Sequence, residues 1–231
     1  MRTLLVSAPL AMGEVVVDGD EAHHGRTVLR LRVGDRVRLA DGQGRAGSGE
    51  VVAVDRQALR VALAGVETVA DGPAALLTVA VAAPKGERFD DLVRGLTELG
   101  VGRILPIACA RAERLPANLD RQRRIAAEAL KQSRRGRMPQ LGPLVDIATL
   151  AASQDALIIL DRAGAAPCTG EPRPTTLVIG PEGGFEAEEV ASLAAAGAAR
   201  ARLAGSILRI ETAALAAAAV WVAAWENLPR G

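Results

Sequence analysis

The sequence predicts an α/β fold in which a parallel sheet is covered on both faces by helices and preceded by a small β domain. Three observations carry this. Beyond residue 75, apolar runs alternate with amphipathic segments, the pattern of strands buried between helices. Before residue 70, short strand-like pieces are separated by turn residues. Between the two lies "VADGPAA" (69–75), with the composition of a linker. The boundaries that follow are 1–70 for the first domain and 74–231 for the second.

In chain order, "RVRLA" (36–40), "GEVVAVD" (49–55) and "ALRVALAG" (58–65) read as strands of a small barrel. Arg30 and Arg32, then Arg36 and Arg38, recur at period two. Each pair shares a face if the segment is extended, and a solvated surface or contact with RNA would both explain it. In the second domain strands are expected at 76–83, 103–108, 157–161, 176–180 and 199–203. Helices are expected at 87–99, 119–134, 186–196 and 208–225. The last is rich in alanine and apolar around much of its circumference, as in a helix buried in a core or across a subunit interface.

Composition narrows the function classes. Of 231 residues, 49% are hydrophobic, enough for a sizeable core, and only 2% are aromatic, so that core is aliphatic. A net charge of +1 excludes a uniformly basic nucleic-acid binder but leaves room for a local basic surface. All basic residues except Lys85 and Lys131 are arginine. Base composition of the genome explains this as well as phosphate recognition does. Two cysteines, Cys109 and Cys168, and two adjacent histidines, His23 and His24, are too few for a disulfide framework, and no metal is expected. The opening residues make a poor signal peptide, and the apolar stretch from Ala213 to Trp225 is short of the roughly 20 residues that span a bilayer. A soluble, cytoplasmic protein without membrane contact is the expectation.

Ligands of open parallel sheets bind beyond the carboxyl ends of the strands, and two informative loops fall there. "VIGPEGGF" (178–185) is neither a Walker loop nor a dinucleotide fingerprint. Its glycines allow close backbone approach, while Glu182 disfavours a tight anion site and suits hydroxyls, amines or a cationic ligand. A structural turn and a ligand loop both fit. "LAGSILRIETAALAAAA" (203–219) follows the last strand. Arg209 stands at the positive end of a helix, against local preference, which hints at a role elsewhere. Glu211 and Thr212 are ordinary first-turn residues. A third feature, "RQRRIAAEALKQSRRGRMP" (121–139), holds seven cations and one acid; Arg124, Lys131 and Arg135 are expected to point outward. Lys85 follows the strand at 76–83, either as a plain helix-entry lysine or as a substrate contact.

Five blocks in fixed order now stand out: "HHGRTVLRLRVGDRV" (23–37), "TELGVGRILP" (97–106), "EALKQSRRGRMPQL" (128–141), "LVIGPEGGFEAEE" (177–189) and "ILRIETAAL" (207–215). They resemble the RsmE family of ribosomal RNA methyltransferases over essentially the whole chain. The resemblance implies a SPOUT fold, meaning a knotted α/β domain (a trefoil knot) behind a PUA-like barrel. It also implies a homodimer, S-adenosylmethionine as cofactor, and methylation of N3 of one uridine in 16S rRNA of the small ribosomal subunit. By the same resemblance the cofactor pocket uses Leu160, then Ile179, Gly180, Pro181, Glu182 and Gly183. Its third loop contributes Leu203, Ile207, Leu208, Arg209, Thr212 and Ala213. Arg209 and Glu211 are the candidate catalytic pair, the first stabilising charge on the uracil oxygens and the second acting as base. Arg26, Arg30, Lys85, Arg111, Arg134 and Arg135 are the candidate RNA contacts. The chain departs from the family at Ala204, Gly205 and Ser206 in the third loop, and at Gly95, where a lysine is frequent. A SPOUT ribose 2′-O-methyltransferase and a non-catalytic ribosome-assembly protein are the alternatives.

Overall fold

A computed structural model of the chain describes residues 1–84, 86–112 and 118–228. It divides into two compact units, Met1–Asp71 with Ala127–Met138, and Gly72–Ala126 with Pro139–Gly231.

The first unit contains β1 (Arg2–Leu5), β2 (Gly13–Val17), α1 (Gly19–Thr27), β3 (Arg36–Ala40), β4 (Arg45–Val54), β5 (Leu59–Leu63) and β6 (Glu67–Thr68). The strands form one sheet in the order β1-β3-β4-β5-β2, with β6 beside β4. β1 and β2 are its edges, and no pairing among the described residues joins them into a closed barrel. Alternation decides the faces. Leu4, Val37, Leu39, Val51, Leu59 and Val61 point into one core. The opposite face carries Ala40 and Ala46, which pack with Leu130, Val69 and Met138.

Four sequence expectations change here. Residues 19–27 form a helix, so the first 70 residues are not all β. Arg30 and Arg32 lie in the loop after it and share no strand face; Arg30 has a left-handed backbone, φ 52°. Arg36 and Arg38 do share a face of β3, but Arg38 is only 8% exposed. Arg38 lies beside Ala40 on the packed part of that face, whereas Arg36 at the strand's start remains exposed. The long helix α3 (Leu119–Ser133) supplies its carboxyl-terminal half to this unit. Lys131, expected to point outward, is 7% exposed and sits between Glu21 (2.6 Å) and Glu128 (2.7 Å).

The second unit follows the α/β expectation. Its elements are β7 (Leu77–Val81), α2 (Glu87–Leu99), β8 (Arg103–Ala108), β9 (Gln140–Leu141), β10 (Val145–Asp146), α4 (Ile147–Ala151), β11 (Ala156–Ala165), β12 (Thr175–Ile179), α5 (Ala187–Ala195), β13 (Ala199–Ala201) and α6 (Ile210–Glu226). All pairings are parallel, in the order β10-β8-β7-β12-β11-β13, with β9 beside β8. β7 and β12, "LTVAV" and "TTLVI", are buried at every position, as in the interior of a parallel sheet, and α6 lies against both. β9, β10 and α4 are too short to show a period, and the sequence reading did not include them.

On α6, Ile210, Ala214, Ala217, Ala218, Trp221 and Trp225 form the buried stripe at helical spacing. It lies against α2, β7 and β12. Trp225 donates its indole N–H to the carbonyls of Thr169 and Gly170, both at 3.2 Å, which satisfies the polar edge of a buried ring. No helix among the described residues is long and apolar enough to cross a membrane.

Candidate active site

The middle of β11 and the segments that follow β12 and β13 enclose one cavity of about 420 Å³. The size falls in the range of about 300–1,000 Å³ typical of small-molecule sites. The neighbouring strands bring the segments together although they are distant in sequence: Ile158 pairs with Leu177 on one side and with Ala199 on the other.

The first segment is Leu160, Asp161 and Arg162 inside β11, where its pairing with β13 shifts register. Asp161 pairs with Arg200 and accepts the Ala163 N–H at 2.8 Å. Burial alone would raise its pKa; the Ala163 and Arg200 hydrogen bonds outweigh that and hold the carboxyl below its usual range. The second segment is the turn after β12. The Gly184 N–H donates to the Pro181 carbonyl at 2.8 Å and closes a four-residue turn. Gly184 has φ 70°, a backbone that a side chain would strain. α5 then starts with a capping box, in which Glu189 accepts the Glu186 N–H at 2.8 Å. The third segment runs from Ala201 to the first turn of α6, tied back by the Arg202 N–H to the Ala165 carbonyl at 2.8 Å.

Ten of the twelve residues expected to hold a cofactor line this cavity: Leu160, Ile179, Gly180, Pro181, Glu182, Gly183, Leu203, Ile207, Leu208 and Ala213. Arg209 and Thr212 do not. Helix geometry explains the split. Ile210 and Ala213 are three residues apart and share a face, whereas Thr212 is turned roughly 160° from Ala213's neighbour on that face. Arg209 is the exposed N-cap, with extended backbone. Glu211 is also outside the lining, and its Oε2 is buried without a hydrogen-bond partner. The sequence reading missed Asp161, Arg162, Phe185 and Arg202, all of which border the cavity. Asp161 and Arg162 directly follow Leu160, which only the family resemblance had singled out, and they lie within β11, where no local signal marks them.

The expected RNA contacts fall into different settings. In the first unit, Arg26 on α1 is half-buried, with Nη1 3.4 Å from the Asp55 carbonyl and a buried, unpartnered Nε. Arg30 is exposed. Arg134 is exposed just beyond α3 in a left-handed conformation, φ 58°, and Arg135 is half-buried. In the second unit, Arg111 is engaged with the turn after β12. Lys85 lies outside the described residues. Among the described residues no group of three His, Cys, Asp or Glu side chains is placed to hold a metal.

Fold and cavity define a class, and family models name it. Residues 72–222 match the RNA methyltransferase domain, and residues 17–63 match the RNA methyltransferase PUA domain. A Mycobacterium bovis protein named ribosomal RNA small subunit methyltransferase E is 33% identical, over 91% of this chain and 88% of its own. A putative methyltransferase from Legionella pneumophila, solved with bound SAM, superposes with a TM-score of 0.88 at 25% identity, covering 98% of both chains. The Neisseria gonorrhoeae ribosomal RNA small subunit methyltransferase E, solved with S-adenosyl methionine, gives 0.87 at 25% identity over 97% of this chain and 98% of that one. The chain belongs to the RsmE family, the ribosomal RNA small subunit methyltransferases E.

Proposed function

We propose that the protein methylates N3 of a uridine in 16S rRNA, using S-adenosylmethionine bound in the cavity lined by β11 and the segments after β12 and β13. The observation that carries this is the convergence of three distant segments on one space of about 420 Å³. The lining suits that cofactor. Leu160, Ile179, Phe185, Leu203 and Leu208 offer apolar walls for an adenine, and the turn after β12 offers backbone groups for hydroxyls. The carboxylates of Asp161 and Glu182 border the same space, beside Arg200 and Arg88, and make a tight polyphosphate site unfavourable.

When bound, S-adenosylmethionine supplies an electrophilic methyl group. The chain's own residues must then orient the base, remove the N3 imide proton and stabilise the charge that remains. Arg209 stays protonated at all working pH values, so it serves as a charge stabiliser for the uracil oxygens. Glu211 is the base candidate; its Oε2 is buried without a hydrogen-bond partner, an arrangement that functional carboxylates often show. Arg162 and Arg202, whose side chains have no hydrogen-bond or ion-pair partner among the described residues, add cations at the rim that favour an RNA strand.

The proposal extends to the whole chain. Residues 1–70 act as a PUA-like RNA-binding barrel and 74–231 as the SPOUT methyltransferase domain, with Arg26, Arg30, Arg134 and Arg135 on phosphates. A trefoil knot in the second unit belongs to the same reading. The protein works in the cytoplasm as a homodimer.

Incubating the chain with unmethylated small-subunit rRNA and S-adenosylmethionine, then digesting to nucleosides for mass spectrometry, tests the proposal. A single methyl on a uracil base at N3 is expected. A methyl on ribose would make it a 2′-O-methyltransferase. No transfer, together with no cofactor binding by calorimetry, would leave only an assembly role.

A further inference from the structure

We infer that Arg111, together with Arg88, is a positioning residue that clamps the turn Pro181–Gly184 into the shape of a cofactor wall, rather than a contact to RNA. Arg111 reaches the turn with two different nitrogens. Its Nε donates to Glu186 Oε1 at 2.9 Å and its Nη1 to the Gly183 carbonyl at 2.6 Å. Next to it, the Ala110 N–H donates to Glu189 Oε1 at 2.8 Å. The two carboxylates that cap α5 therefore also dock the segment following β8. From the other side, Arg88 on α2 lies 3.7 Å from the Glu182 carboxylate.

The consequence falls on one peptide group. The carbonyl of the Gly183–Gly184 peptide is held by Arg111, and its N–H is held by the Pro181 carbonyl at 2.8 Å. With both ends engaged, that peptide cannot rotate, and glycines on each side would otherwise let it do so. Gly183, Gly184 and Glu182 all line the cavity. The clamp thus removes freedom from the wall before a ligand arrives, which is how preorganisation adds affinity. It also gives Glu182 a partner, so an acid in this glycine loop need not be a cofactor ligand. Arg111 suits the task because a planar guanidinium can serve two acceptors at fixed angles, whereas a lysine ammonium is a point charge on a flexible stem.

This inference rests on the proposed cofactor site. Calorimetry of S-adenosylmethionine against the full chain, Arg111→Ala, Arg111→Lys and Glu186→Gln tests it, with steady-state methylation alongside. Arg111→Ala is expected to raise the dissociation constant about fivefold, ~1 kcal/mol. Arg111→Lys should show nearly the same shift, and Glu186→Gln should add little to Arg111→Ala, because all three break one unit. In kinetics the cofactor KM rises while kcat holds. Unchanged affinity in Arg111→Ala, or full rescue by lysine, overturns the clamp. So does a drop of about one in the salt slope of RNA binding, the mark of a lost phosphate contact. An unmutated chain that bound no S-adenosylmethionine would overturn the cofactor site and the clamp's role together; normal binding by both it and Arg111→Ala would overturn the clamp alone.

Discussion

Arg209 illustrates how a residue's local misfit becomes informative. A cation at a helix N-terminus opposes the dipole, and here it is the exposed N-cap, with no side-chain cap hydrogen bond. Because it lies outside the cavity lining, removing it should spare the cofactor. Arg209→Ala is expected to lower the methylation rate roughly 10²- to 10³-fold, as for loss of a charge-stabilising donor. Titration calorimetry should show cofactor affinity unchanged. The cysteines make a second contrast at this scale. Burial, and then the negative charge of Glu189, push the Cys109 thiol up to about 11, with only a backbone hydrogen bond from Ala112 opposing. Cys168 is exposed. At pH 8 an alkylating agent should label Cys168 and leave Cys109 unmodified, the latter reacting only as the pH approaches 11. Peptide mass spectrometry after timed labelling checks this.

At the scale of elements, α3 shows why a basic stretch is not automatically a surface. Its sequence places Lys131 among arginines, yet the side chain turns inward to Glu128 and Glu21. Glu21 is further tied to the Leu5 N–H at 3.1 Å, linking α1, β1 and α3. Burial lowers the Lys131 pKa, but hydrogen bonds and charges from Glu128 and Glu21 outweigh it and leave the value raised. Lys131→Met should lower unfolding free energy by about 3 kcal/mol, because it strands a partly buried carboxylate. A lysine whose pKa is higher folded than unfolded contributes stability that is complete below the unfolded value and lost as pH rises through the folded one. The parent chain should therefore lose stability above about pH 10.5 on a flank that Lys131→Met lacks, seen in urea melts across pH. Where α2 meets α6, a Cβ on Gly95 would start 2.6 Å from Leu215 Cδ2, the end of a half-buried flexible side chain that would have to shift.

For the molecule as a whole, charge distribution matters more than net charge. A chain at +1 can still grip RNA if its cations are grouped. With about four phosphate contacts to single-stranded RNA, the slope of log K against log salt should be about −3. Filter binding between 50 and 200 mM salt should then show affinity falling by about sixtyfold; a flat response would remove Arg26, Arg30, Arg134 and Arg135 from the interface.

The alternation beyond residue 75 was enough to place β7, β8, β12, α2 and α5 within a residue or two, because buried strands and amphipathic helices carry their period in the chain. The cavity-lining loops were legible for the same reason: in a parallel sheet, whatever follows a strand's carboxyl end is a candidate for ligand contact. Local pattern could not say that Arg38 and Lys131 are buried, that Arg111 hydrogen-bonds a turn, or that Arg209 and Thr212 lie outside the cavity lining. Those facts depend on which surfaces meet. Periodicity reports only how a segment divides its own two faces, while a partner 90 to 110 residues away, as Leu130 is to Ala40 or Lys131 to Glu21, is chosen by packing and charge in three dimensions.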